Sequence, residues 1–326
     1  MRKPNGSYGA PGWLPGGHAQ TIYPVLIRRP EIAYRRQRIE TPDGDFIDFD
    51  WLDSPTANAT TPLVALFHGL EGNSRSHYAL ALMTHLRSIG WRGVVPHFRG
   101  CSGEPNRRPR AYHSGDYTEV AWMLETIRRL APDTPLFAVG VSLGGSALLN
   151  WLGREEHRAA RIVAAAAAVS APLDLTAAGI AIEQGLNRIY SRHFRSTLVP
   201  KAMAMARQFP GTLDAAAIAR VDTMYHFDDV VTAPLHGFTG TDDYWHRASS
   251  KPWLKAVAVP TLVLNARNDP FIPASSLPTR AEAGAATTLE QPDDGGHAGF
   301  PEQRFPGRPD WLPQRLVTYF SEVRRA

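Results

Sequence analysis

Apolar positions along this chain follow two different patterns. Short runs with no polar interruption stand at 63–67, 94–95, 136–139, 162–169 and 262–264. A run of that kind is how a strand buried on both faces reads. The alanine-rich 162–169 run is taken as such a strand although alanine is a poor strand former. Between these runs lie stripes at helical spacing. Tyr78, Leu82, Leu86 and Ile89 form one, closed by Gly90. Val120, Leu124 and Ile127 form a second, with Asp116 as cap and Glu119 three residues on. Leu316, Val317, Phe320 and Val323 form the last. Strand–helix alternation predicts a mostly parallel sheet with helices on its faces.

Two regions break this rhythm. Near the start, Ile47, Phe49 and Trp51 alternate with Asp48 and Asp50, which predicts a strand with one wet face. Pro42-Asp43-Gly44-Asp45 separates it from Arg38-Ile39-Glu40-Thr41, so an antiparallel hairpin is expected. Farther on, about 172–250 shows helix-like patches at 177–189, 201–208 and 213–219 and no clear strand. It reads as a helical cap inserted over the carboxyl edge of the sheet, where open α/β sheets bind ligands. The expected organisation is one domain over 1–326. It comprises an irregular Gly/Pro-rich arm at 1–34, a core of 35–171 and 251–326, and the cap.

The 326 residues, 43% hydrophobic and 20% charged, allow one such domain with insertions. The formal charge of +4 is small for this length and argues against nucleic acid. The densest basic run, Arg107-Arg108-Pro109-Arg110, reads as a solvated loop. With Cys101 the only cysteine, no intrachain disulfide can form, which fits a reducing, cytoplasmic setting. Residues 1–7 start a segment without an apolar signal core, and no run is long enough to span a bilayer. A peripheral membrane contact and the oligomeric state stay open.

The chemistry centres on Gly140-Val141-Ser142-Leu143-Gly144, between an apolar run and the helix-like 146–152 stretch. Strand, Gly-x-Ser-x-Gly, helix is the nucleophile-elbow context. The glycines give room at a sharp turn, and the next helix offers unpaired N–H groups and a favourable dipole. A serine hydroxyl needs a base within reach. In this architecture the acid and then the histidine follow later strands. Asp269 and His297 stand where that scheme requires them, His297 as the proton carrier and Asp269 as its orienting partner. Asp242 and Asp243 fall in the cap, and Asp293 and Asp294 lie too near His297 to follow a separate strand. An oxyanion hole is expected from the backbone N–H groups of Leu143 and Leu70, with Gly69 letting the loop approach and His68 bracing it. His113, Asp116 and the paired aspartates form no metal-ligand spacing, and no dinucleotide or phosphate loop is present, so no cofactor or metal is expected.

These motifs together resemble the α/β-hydrolase superfamily and, within it, the YheT-like hydrolases. The resemblance rests on Gly16-Gly17-His18-Ala19-Gln20-Thr21, His68-Gly69-Leu70-Glu71-Gly72, Asn73-Ser74 and His97-Phe98-Arg99-Gly100-Cys101-Ser102-Gly103. It continues through the serine elbow, Asn265-Ala266-Arg267-Asn268-Asp269-Pro270 and Gly295-Gly296-His297. It implies an ester hydrolase with Ser142, Asp269 and His297 as its triad, acting through an acyl-enzyme on short- to medium-chain acyl esters, lipids included. Transfer of the acyl group to an alcohol, or a silent binding module, are the competing expectations. A peptidase lacks a specificity feature here, and a dehalogenase needs a carboxylate nucleophile. The resemblance gives no role to His18, Arg99 or 112–116, which read as structural.

Overall fold

The computed structural model describes residues 8–27 and 29–325. The 1–7 stretch, to which the expectation of no apolar signal core applies, lies outside them. Eight strands form one sheet: β1 (Arg35–Glu40), β2 (Phe46–Leu52), β3 (Leu63–Phe67), β4 (Arg92–Pro96), β5 (Leu136–Val141), β6 (Ala165–Val169), β7 (Thr261–Leu264) and β8 (Thr287–Glu290). Their order is β1-β2-β4-β3-β5-β6-β7-β8. The β1–β2 and β2–β4 pairs are antiparallel and the remainder parallel.

Side chains on successive residues of a strand leave on opposite faces, and both faces are covered here. Leu63, Ala65 and Phe67 of β3 enter the core beneath α3 (Tyr117–Leu130) and α4 (Leu143–Glu155). Val64 and Leu66 enter the core beneath α2 (His77–Ser88). In β6, Ala166 and Ala168 face one core while Ala165, Ala167 and Val169 face the other. The strand starts at Ala165, later than the apolar run suggests, because a 3-10 turn occupies Glu156–Arg161 just before it. Burial of Val120, Met123, Leu124 and Ile127 anchors α3. Each such side chain contributes about 1.5–3 kcal/mol relative to exposure. Asp116 caps α3 by accepting from Glu119 N. In α2 the buried face is Ala79, Leu82, Met83 and Leu86, whereas Ile89 lies past the helix end and is exposed.

Three expectations are corrected. The arm is not wholly irregular: α1 spans Gly17–Leu26 with Pro24 inside it. Next, β2 has no wet face, since all its residues are buried. Asp48 is 2.8 Å from Arg38, and Asp50 is 2.7 Å from Arg36 and 2.9 Å from His97. Arginines of β1 and polar partners from the 97–104 loop replace the water that the alternation had pointed to. Finally, the 172–250 region is helical but divided differently. It holds α5 (Leu175–Ala181), α6 (Arg188–Gln208), α7 (Ala215–Ile218), α8 (Met224–Phe227), a π-helical turn (Asp228–Thr232), α9 (Ala233–His236) and α10 (Thr241–Ala248). α6 runs unbroken through Pro200, because burial of Ser191, Leu198 and Ala202 holds it along one side. The last helix, α11 (Trp311–Val323), closes the β5–β6 side through Leu316 and Phe320.

A buried ion-pair system locks the hairpin to the body. Arg99 Nη1 lies 2.8 Å from Asp45 and 2.9 Å from Asp43, and its Nε lies 2.6 Å from Glu119 at the start of α3. The basic 107–110 run is anchored rather than free: Arg107 pairs with Glu40 and Arg110 with Asp116.

Burial alone would raise the Asp50 carboxyl, but hydrogen bonds from Arg36, His97 and Ser74 outweigh it and hold the group below the usual carboxylate range. The same balance, with Arg38 and Ser102 as donors, lowers Asp48. For Asp43, bonds from Thr41 and Arg99 overcome burial and bring it down to about 2. Carboxyls depressed in the folded state add stability that is complete above the unfolded value of about 4 and is lost as pH falls through the folded values. The melting temperature is therefore expected to fall steeply with acidification below about pH 4. Calorimetry across pH 2–6 checks this, and Asp50→Asn should give a shallower acid limb with a lower plateau.

Candidate active site

Ser142 sits between β5 and α4 with φ 54° and ψ −123°. A non-glycine residue there costs on the order of 1–3 kcal/mol. The surroundings impose it. Ser142 N donates to Val169 O of β6 (2.9 Å), while its own carbonyl accepts from Gly145 N (2.9 Å) and Ser146 N (3.1 Å). The room the glycines provide is visible in what a Cβ would strike. At Gly144 it would come within 2.5 Å of the Phe67 and His68 carbonyl oxygens, and at Gly140 it would overlap Gly144.

The loop after β3 passes beside the serine: a Cβ on Gly69 would stand 3.0 Å from Ser142 Cβ. The N–H groups around Leu70 are committed elsewhere. Gly69 N donates to Tyr78 Oη (2.8 Å), Glu71 N to Tyr112 Oη (2.7 Å) and Gly72 N to Gly69 O (2.9 Å). Among the described residues nothing accepts from Leu70 N, nor from Leu143 N in the first turn of α4. His68 braces the loop. Its Nδ1 donates to Gly69 O (2.8 Å) and its Nε2 accepts from Phe98 N (3.1 Å). Burial pushes the imidazole down to about 3, so it is neutral and its ring nitrogens are spent on the loop.

Asp269 follows β7 and His297 follows β8. His297 Nδ1 and Asp269 Oδ2 are 2.8 Å apart, while Asp269 Oδ1 accepts from Phe271 N at 2.8 Å. The carboxyl is shut off from solvent and the imidazole nearly so. Phe271 packs on the ring at 4.3 Å. Ser142 and His297 line the same cavity without a direct hydrogen bond, and such contacts commonly tighten only when substrate binds. The other acids are engaged elsewhere: Asp243 with Arg247, Asp293 near Arg267, and Asp294 with Gln20 and Asn268.

The cavity holds about 530 Å³ and includes Leu70, Ser142, Leu143 and His297. Its far wall is apolar, built from the β6–β7 insertion by Phe194, Leu198, Met205, Phe227, Val231 and Trp245. Asp228, on the π-helical turn of that wall, accepts from Thr232 Oγ1 and Trp245 Nε1 and is pushed up to about 6 by burial. Pattern reading gave no sign of Asp228, placed Tyr78 only in an apolar stripe and Tyr112 only in a structural segment, because neither a stripe nor a segment records a hydrogen bond to a distant backbone. His18 Nδ1 meets Tyr190 Oη at 3.1 Å. In the 112–116 segment, Ser114 N donates to Tyr244 Oη. Both contacts tie the insertion to the body.

A family model described as alpha/beta hydrolase fold matches residues 62–303. The chain belongs to the α/β-hydrolase family. Within this family it is 39% identical over 310 residues to the Escherichia coli (strain K12) protein named "Putative esterase YheT", covering 92% of this chain and 91% of that one. It is 30% identical over 319 residues to human "Phospholipase ABHD3", covering 95% of this chain and 76% of the relative. The fold also matches the solved Pyrococcus furiosus esterase PF2001, with TM-score 0.58 and 12% identity over 89% of this chain and 91% of that chain. As a YheT-like α/β hydrolase, the chain is a carboxylic-ester hydrolase. No helix among its described residues is long and apolar enough to cross a membrane.

Proposed function

We propose that this hydrolase cleaves short- to medium-chain acyl esters, lipid esters among them, through an acyl-enzyme on Ser142. The observation that carries the reading is one apolar cavity in which the strained serine, the Asp269-paired His297 and two uncommitted N–H groups meet. His297 takes the Ser142 proton as the hydroxyl oxygen attacks the ester carbonyl. The N–H groups of Leu70 and Leu143 then receive the developing oxyanion. Collapse of that intermediate breaks the ester bond, and the alkoxide leaves with the proton from His297. Water, deprotonated by His297, attacks the acyl-serine, and the acid departs as Ser142 recovers its proton. Asp269 holds the ring and offsets the imidazolium charge at each transfer.

The reading includes one domain over 1–326, with 172–250 acting as a cap whose apolar wall takes the acyl chain. Relatives named phospholipase and monoacylglycerol lipase support lipid-type esters. With p-nitrophenyl esters of graded length, kcat/KM should rise from acetate to a maximum at short or medium chains and then fall. A rate that does not depend on length overturns the acyl-pocket assignment. Adding glycerol to the same assay reads the transferase alternative, since a glyceride product at the expense of free acid marks transfer.

A further inference from the structure

The Gly-Gly-His-Ala-Gln-Thr segment is the most specific motif in the chain that the mechanism leaves unused. Its residues form the first turns of α1, and that helix is pressed against both loops that carry the acid and the histidine. At Gly17 a Cβ would overlap the Asn268 carbonyl oxygen, and at Gly296 (φ +58°) it would come within 2.8 Å of Gly17 O and of Thr21 N and Oγ1. Backbone meets backbone here with no side chain between.

Two side chains of α1 then bond to the loops directly. Thr21 Oγ1 accepts the backbone N–H of His297 at 2.9 Å and donates to Gly17 O at 2.6 Å. Gln20 is fully buried, and its amide uses all of its ordinary hydrogen-bonding capacity. Oε1 accepts from Gly295 N (2.8 Å) and Asn268 Nδ2 (2.9 Å), while Nε2 donates to Leu14 O (3.0 Å) and Asp294 Oδ1 (3.3 Å). Asn268, the residue before Asp269, returns the contact by accepting Gly296 N at 3.0 Å. One glutamine and one threonine thus join the loop before the acid to the loop on either side of the histidine.

We propose that Gln20 and Thr21 are positioning residues, which set the His297 ring against Asp269 and Ser142 from an element remote in sequence. This rests on the triad reading above. Neither side chain touches a reacting atom. Their action is through the His297 backbone and the Asn268–Gly295 link. Displacement of a catalytic group by about 1 Å can cost on the order of a hundredfold in rate, so small slackening of these bonds is enough.

The test compares Thr21→Val, Thr21→Ser and Gln20→Leu with Val25→Ser, which alters the 61%-exposed side of the same helix. Thr21→Val keeps the shape and removes the acceptor for His297 N, whereas Thr21→Ser keeps the acceptor. Expected are a fall in kcat of about ten- to a hundredfold for Thr21→Val and Gln20→Leu, with KM within about twofold. Labelling of Ser142 by a fluorophosphonate should slow in parallel, since it needs the same base. Thr21→Ser and Val25→Ser should stay near wild type. Folded fraction is checked by circular dichroism, and rates are normalised to it. Wild-type kcat and labelling in Thr21→Val and Gln20→Leu overturn the proposal. An equal loss in Thr21→Ser or Val25→Ser also overturns it, because that marks general packing of α1. If wild-type enzyme itself takes no label and Ser142→Ala remains active, the triad reading is what fails.

Discussion

Ser142→Ala is expected to lower kcat/KM for a p-nitrophenyl ester by about 10⁴- to 10⁶-fold, the range seen when a triad nucleophile is removed. What remains is expected from the N–H groups of Leu70 and Leu143 and the cavity, which the substitution leaves in place. The melting temperature should stay within a few degrees of wild type. Ser142 makes its structural bonds through its backbone, to Val169, Gly145 and Ser146, and alanine retains all three. Alanine also inherits the strained φ of 54°, so no strain is released. Steady-state kinetics and calorimetry on the two proteins check both halves. Activity above about one per cent of wild type in a preparation free of contaminating esterase would remove Ser142 from the nucleophile's role.

Arg99→Leu carries the largest expected effect on stability. The guanidinium is the shared cation for Asp45, Asp43 and Glu119, and the Asp45 and Glu119 side chains are almost wholly buried. Removing it leaves Asp45 with only its hydrogen bonds from Phe46 N, Arg107 N and Asn106, and Glu119 with only Arg110 at 3.8 Å as a cation, and breaking a buried ion pair by deleting one partner costs about 3–5 kcal/mol. Urea unfolding should show that loss, with a melting temperature lower by on the order of 10 °C. Arg99→Leu combined with Glu119→Leu should recover part of it, because the buried Glu119 carboxyl, which burial and Asp116 already push up, no longer needs a cation. A loss below about 1 kcal/mol would show that water reaches these acids.

Much of the candidate site was legible because its signals are local. The Gly-x-Ser-x-Gly turn needs room for a helix to start against a strand, and the clashes a Cβ would make at Gly140 and Gly144 are the same requirement in space. The order serine, acid, histidine follows from parallel strands delivering successive loops to one edge, so Asp269 and His297 could be picked out by their place after β7 and β8. Leu70 could be picked out as part of a loop. That its N–H is uncommitted depends on Tyr78 and Tyr112 taking those of Gly69 and Glu71, and the stripe that contains Tyr78 marks its burial and not its bond.

The errors share one cause. Asp48 and Asp50 alternate with apolar residues, as on a strand facing water, and only the fold brings Arg36, Arg38 and His97 over them. The 190–200 stretch lacks a clean apolar period and contains a proline, yet packing draws it into the single long helix α6. The arm looks irregular by composition and becomes α1 where the loops that hold Asp269 and His297 receive it.

By itself the sequence determined what short-range physics controls: the buried parallel strands, the helix stripes, the cap on α3, the steric demands of the serine turn and the chain order of Ser142, Asp269 and His297. Tertiary structure alone decided which polar groups share a partner. Thr21 bonds to His297 across 276 positions and Gln20 to Gly295 across 275. A hydrogen bond needs its two atoms within about 3 Å. Only the folded sheet brings positions so far apart along the chain to that distance, so no local period or motif could record the pairing.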